Sequence, residues 1–221
     1  MQNSAQYIVF DGMDGSGKGT QLRLLGNAFP FPVLFTREPG GTPFAEEIRK
    51  LVRNNPLAGE STPLNHLLLF WAAREELQQN LIVPALRAGK QVFSDRGDSS
   101  TFAFQLCGEE HEQLLDLFLQ VRKCVFDARR GRRQPDRYII FDLPAEMARA
   151  RALQDATRTR NHFDVRALEY YERVRKGFLK FAELQNQPVD FVDATRSIED
   201  IHLSVIRILT KELGAPKNAH S

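Results

Sequence analysis

Cysteine is scarce in this chain: Cys107 and Cys124 are the only two among 221 residues. They form neither a disulfide framework nor a metal-ligand spacing, which fits a reducing compartment. No apolar stretch approaches the roughly 20 residues that cross a bilayer. The amino-terminal MQNSAQ lacks the basic-then-apolar layout of a secretion signal. A soluble, cytoplasmic protein without membrane partners is expected. Charge of one sign is missing too, since 30 Lys and Arg against 28 Asp and Glu leave a net charge of +2. That balance argues against nucleic-acid binding over the whole surface. The local run RRGRRQPDR at 129–137 reads as a solvated loop before a strand. Internal repeats and low-complexity linkers are also absent, and 42% hydrophobic content suffices for one sizeable core. One domain is expected over 1–221.

What is present is concentrated at 8–20, IVFDGMDGSGKGT, where a buried-strand run empties into a GxxxxGK spacing. Gly12, Gly15, Gly17 and Gly19 can take backbone angles forbidden to other residues. Successive N–H groups, with those of Met13, Asp14 and Ser16 between them, can then turn inward around an anion. Lys18 adds a mobile positive charge, and a helix starting there would present its positive end. The pattern implies a nucleoside triphosphate site. The usual Ser or Thr after the lysine, a magnesium ligand, is replaced by Gly19, and Thr20 stands one place later.

Apolar runs rich in β-branched or aromatic residues at 7–10, 32–35, 91–94, 138–141 and 189–192 alternate with helical patterns. This predicts an α/β fold with a five-stranded parallel sheet and helices on both faces. Core stripes are expected along Leu114, Phe118, Val121 and Val125, along Leu168, Tyr171, Val174, Phe178 and Phe181, and along Ile198, Ile201, Val205 and Ile208. Pro84 should kink or break the helical pattern of 64–88. Ligands of such sheets sit beyond the carboxyl ends of the strands. Segments 11–18, 36–42 and 95–105 are thereby directed to one crevice.

Those segments carry TREPGGT at 36–42, FWAAR at 70–74 and DRGDSSTFAFQ at 95–105, followed by PDRYIIFDLPAE at 135–146 and DATRSIED at 193–200. Together and in this order they resemble the thymidylate kinase family. The resemblance implies a P-loop kinase fold with a short lid, here at about 154–164. It also implies phosphorylation of dTMP by ATP with Mg2+, and a homodimer.

The resemblance further assigns roles. Phe70 would stack on the base and Arg74 donate to a base carbonyl, with Thr101 and Gln105 on the base edge. Arg37, Arg49 and Arg96 would hold the acceptor phosphate, whose oxygens suit guanidinium forks. Asp14 would lie near the sugar and the transferring phosphate, with Glu38 on the sugar side. Asp95 would reach magnesium through water, with Thr20 a second metal candidate, and Arg151 and Asp193-Ala194-Thr195 would border the adenosine. Lys18, Asp14, Arg96 and the lid residues Arg158 and Arg160 form the expected catalytic set.

With Gly15 in the loop, the chain resembles the class that supplies its catalytic arginine from the lid. Gly97 replaces the aromatic or imidazole side chain that follows the DR pair, and His162 stands where a lid arginine is expected. Two other readings stay open: a kinase for another nucleoside monophosphate, and a nucleotide-binding protein with impaired catalysis.

Overall fold

In the computed structural model, residues 5–154 and 167–214 are described. Five parallel strands, β1 (Tyr7–Gly12), β2 (Val33–Arg37), β3 (Gln91–Asp95), β4 (Arg137–Asp142) and β5 (Val189–Asp193), form a sheet in the order β2-β3-β1-β4-β5. All five expected strands are present. Sequence composition tracks position in the sheet. Tyr7, Ile8, Val9 and Phe10 on central β1 are fully buried, whereas the edge strands leave Phe35 and Phe191 partly exposed.

The crossovers explain the layers. The chain moves one way from β1 to β2 through α1 (Lys18–Leu24), and the other way for every later connection. Right-handed crossovers therefore place α1 on one face and the later crossover helices on the other. Those helices are α2 (Pro43–Asn54), α3 (Pro63–Leu77), α4 (Val83–Arg87), α5 (Asp98–Ser100), α6 (Leu115–Val125), α7 (Ala145–Gln154) and α8 (Leu168–Glu183). The last helix, α9 (Ile198–Leu213), packs beside α1. Local sequence sets several starts. Thr42, Thr62 and Ser197 accept the backbone N–H groups of Ala45, Asn65 and Asp200, and prolines follow both threonines.

Two expectations need correction. Pro84 does not break its helix, because a π turn at Gln78–Ile82 joins α3 to α4, placing the proline near the start of α4. The missing proline donor is tolerated in that first turn. On α9 the buried positions are Ile201, Val205, Leu209 and Leu213, while Ile198 is 52% exposed. Ile198 lies at the amino-terminal end of the helix, off the stripe that meets the sheet. The core on the other face is aromatic, with Tyr138 edge-on to Phe181 at 5.1 Å and Phe102 edge-on to Phe118 at 5.6 Å.

Candidate active site

The loop after β1 turns on three glycines of positive φ, Gly12 (142°), Gly15 (79°) and Gly17 (81°). A Cβ on Gly15 would sit 2.4 Å from the Ala148 carbonyl oxygen and 2.9 Å from the Ala152 nitrogen, so α7 lies directly on the loop. No side chain caps α1, whose first position follows Gly17. Lys18 is buried, and its Nζ lies 2.9 Å from Asp95 Oδ1 at the end of β3. Burial pushes the Asp95 carboxyl up, but Lys18 and Arg96 outweigh it and hold the group below the usual carboxylate range. Ser16 Oγ is buried and has no hydrogen-bond partner among the described residues. Thr20 Oγ1 accepts from Arg23, and a Cβ on Gly19 would meet open space.

Arg96 is the hub. Its φ of 75° is rare for a residue with a Cβ. That turn sends the guanidinium back across β1, where it reaches Asp14 Oδ1 (2.6 Å), Ser100 Oγ (2.8 Å), the Gly12 carbonyl (3.2 Å) and Asp11 Oδ1 (3.3 Å). The Phe104 ring lies beneath it at 4.9 Å. Burial opposes its charge, yet Asp14, Asp11 and Asp95 overcome that and raise its pKa. Asp11 is fully buried and accepts from Ser99 Oγ (2.6 Å), Ser100 Oγ (2.7 Å) and the Gly12 N–H (2.8 Å). Burial still raises its pKa against Arg96 and these donors.

Two clefts meet at this hub. One is lined by the P-loop with Arg37, Arg49, Asp95 and Arg151. The other is lined by Phe70, Arg74, Gly97, Ser100, Thr101, Phe104, Gln105, Tyr170 and Tyr171. Asp14, Glu38, Arg53 and Arg96 border both.

In the second cleft Arg74 is 3% exposed, with Nε on Glu38 Oε2 at 2.5 Å, Nη2 on Thr101 Oγ1 at 3.1 Å, and its guanidinium 4.4 Å above the Trp71 ring. Its Nη1 is buried without a partner among the described residues. A buried donor left open is costly, so this nitrogen suits a ligand acceptor. Glu38 also accepts from Tyr7 Oη at 3.0 Å, and burial raises its pKa despite Arg74. Thr101 and Gln105 sit on a π turn, Thr101–Gly108, and Phe70 is half-buried beside them.

The arginines of α2 and β2 line the P-loop side of the crevice. Arg37 forks onto Glu46 with contacts of 3.1–3.2 Å, and Glu46 also accepts the Gly41 N–H at 2.9 Å. Arg49 Nη1 donates to the Pro39 carbonyl at 2.8 Å. Burial, then the neighbouring charges of Arg53 and Arg37, lowers its pKa to about 10. Arg151 Nη1 donates to the Ala194 carbonyl at 2.8 Å, joining α7 to the turn after β5.

Of the expected site residues among the described residues, all but Gly12 and the turn Asp193-Ala194-Thr195 line the two clefts; Gly12 meets them through Arg96 and the turn through Arg151. Arg158, Arg160 and His162 lie outside the described residues, and of the expected lid only Gln154 falls within them. Gly97 has a local reason, since a Cβ there would meet both methyl groups of Val9 at 2.9 Å. In the basic run, Arg129 and Arg130 pair with Asp127, Arg133 with Asp136, Arg132 with Glu75, and Arg137 with Asp190 and Glu212. Each arginine of the run thus has an acidic partner, and all of these but Asp136 lie outside the run. Sequence reading missed Asp11, Arg53, Ser100, Phe104 and Tyr170 in the site. Arg53 had a signal, four residues after Arg49 on one helix, whereas Tyr171 was assigned to a core stripe.

A P-loop cleft abutting a mainly apolar, aromatic-walled pocket with a few polar side chains, on a parallel sheet of this order, fits an ATP-dependent nucleoside monophosphate kinase, a transferase. A family model described as thymidylate kinase matches residues 10–205. Thymidylate kinases of Pelotomaculum thermopropionicum and Symbiobacterium thermophilum are 37% and 36% identical to the chain. The first alignment spans 95% of both chains and the second 94% of both. The crystal structure of thymidylate kinase from Ehrlichia chaffeensis superposes with a TM-score of 0.69 at 30% identity, covering 94% of this chain and 99% of that one. The chain belongs to the thymidylate kinase family.

Proposed function

We propose that the chain transfers the γ-phosphoryl group of ATP to dTMP, giving dTDP and ADP, with the reaction centred where the two clefts meet. The observation that carries this reading is the junction itself. Arg96 and Asp14 border both clefts, so nucleotides seated in each meet end to end.

In this reading an oxygen of the dTMP phosphate forms a bond to the γ-phosphorus as the bond to the ADP oxygen breaks. Such transfers depend on positioning and charge neutralisation rather than covalent chemistry by the protein. Gly12 to Thr20 cradle the triphosphate, and Lys18 leaves Asp95 for the phosphates. Arg37, Arg49 and Arg96 hold the acceptor phosphate. Phe70 stacks on thymine, the open Nη1 of Arg74 donates to a base carbonyl, and Thr101 and Gln105 take the base edge. Arg151 and the turn after β5 border the adenosine.

Mg2+ fits the donor set: the carboxylates Asp95 and Asp14 suit a hard cation that keeps most of its waters. Asp95 would hold it through water, with Thr20 as a second donor once released from Arg23. When bound, it neutralises charge on the polyphosphate. The reading also takes 1–221 as one domain with a lid at about 154–164, a homodimer and a cytoplasmic location. No helix among the described residues is long and apolar enough to cross a membrane.

The test is ADP formation with Mg2+ and dTMP, dUMP, dCMP or AMP as acceptor. Preference for dTMP supports the reading. Preference for another acceptor replaces the substrate, and ATP binding without transfer favours the impaired-catalyst alternative.

A further inference from the structure

We propose that Arg53 is a further acceptor-binding residue, its guanidinium taking a phosphate oxygen beside Arg49 and so setting how strongly the site prefers a nucleotide to a bare nucleoside. This rests on the acceptor reading given above.

Helix α2 has two faces. Ala45, Ile48 and Val52 are buried and form a small apolar cluster with Ala73 of α3, with Leu69 and Phe70 packed against it. Arg49 and Arg53, four residues apart, share another face. That face borders the crevice, because Arg49 lines the P-loop cleft and Arg53 lines both clefts. Arg53 and Arg96 are therefore the two cations that border both clefts among the described residues.

Their surroundings differ. Arg96 is answered by three carboxylates, those of Asp11, Asp14 and Asp95, and Arg37 by Glu46. Arg49 hydrogen-bonds to a neutral carbonyl and feels the Glu46 carboxylate that Arg37 also uses, while Arg53 is the nearby charge that most lowers its pKa. Two guanidinium groups crowded on one helix face repel each other, and a doubly charged phosphate placed between them converts that repulsion into attraction. A bare nucleoside brings no such charge. Arg53 is half-buried, as suits a long side chain with an apolar stem and a charged head in a cleft wall.

The test is calorimetric binding of dTMP and of thymidine to the full chain, unaltered and as Arg53→Leu, Arg53→Gln and Arg53→Lys. Loss of a charge-assisted hydrogen bond to phosphate should weaken dTMP about ten- to a hundredfold in the first two variants. Thymidine binding should stay within about twofold, with Arg53→Lys intermediate for dTMP. The Leu and Gln variants carry the same expectation, so a folding defect in one leaves the other to decide. Unchanged dTMP binding overturns the inference, as does an equal loss for dTMP and thymidine, which would make Arg53 only part of the wall. Failure of the unaltered chain to bind dTMP overturns the acceptor reading and this inference with it.

Discussion

Arg74 Nε donates to Glu38 Oε2 at 2.5 Å in a site where both side chains are 3% exposed. The pair ties α3 to the loop after β2, and thus the aromatic-walled cleft to the P-loop cleft. Removing one partner of such a pair strands the other's charge, at about 3 kcal/mol or more. For a domain of this size that is a loss of roughly 6–12 °C in melting temperature. Glu38→Gln and Arg74→Met should each show it in thermal melts, and the double variant should lose clearly less than the sum. An additive double variant would mean that the two side chains act independently.

Gly15 and Gly17 have nearly equal positive φ, 79° and 81°, but different surroundings. Alanine at either position costs about 1–2 kcal/mol in left-handed backbone strain. Around Gly17 a Cβ meets nothing within 4 Å, whereas at Gly15 it meets the backbone of α7. Gly15→Ala should therefore melt at a clearly lower temperature than Gly17→Ala, and weaken ATP binding by displacing loop or helix. Equal losses would show that the α7 contact imposes no constraint.

Arg96 both borders the reaction centre and answers the buried Asp11. Arg96→Ala should lower turnover with dTMP by at least a hundredfold. Its stability loss should also depend on pH, with a definite sign. Asp11 has a folded pKa raised by burial even with Arg96 present. A raised carboxyl pKa favours the folded state when protonated, so stability is lost as pH rises through that folded value. Without Arg96 the folded pKa climbs further, and the loss on raising pH grows. Denaturant melts of the two proteins should differ more at pH 8 than at pH 5; a gap that widens toward acid would contradict this.

The strands were legible because the central ones are continuous apolar runs, and the loops after β1, β2 and β3 carry the glycines, lysine and arginines expected of an anion site. Arg74, Thr101 and Gln105 were placed by resemblance, and the structure gives their geometry. Asp11 was hidden because a carboxylate at a strand end reads as a turn residue until Arg96, 85 residues away, folds onto it. Tyr170 and Tyr171 were hidden by periodicity, since a helix face that packs on the core can also wall a pocket. The π turn before Pro84 was not read from the spacing, because the α4 segment that it rephases, by about 100° for one extra residue, is only five residues long.

The position of Gly15 also bears on where a transfer-stabilising cation can come from. With the Ala148 carbonyl 2.4 Å from its missing Cβ, the loop has no room there for an arginine. Among the described residues Arg53 and Arg96 border the junction and Lys18 lies on its P-loop side, and a further charge on the moving phosphoryl can be brought by another segment. Arg158 and Arg160 follow α7, the helix that rests on Gly15, and are the arginines the family resemblance puts in the lid. Arginines in this role are worth about three to five orders of magnitude in turnover. Arg158→Ala or Arg160→Ala should therefore cut kcat far more than it changes the KM for ATP, because the interaction is made in the transition state. Steady-state kinetics of both single variants and the double variant decide the matter, and unchanged kcat in all three would assign the charge elsewhere.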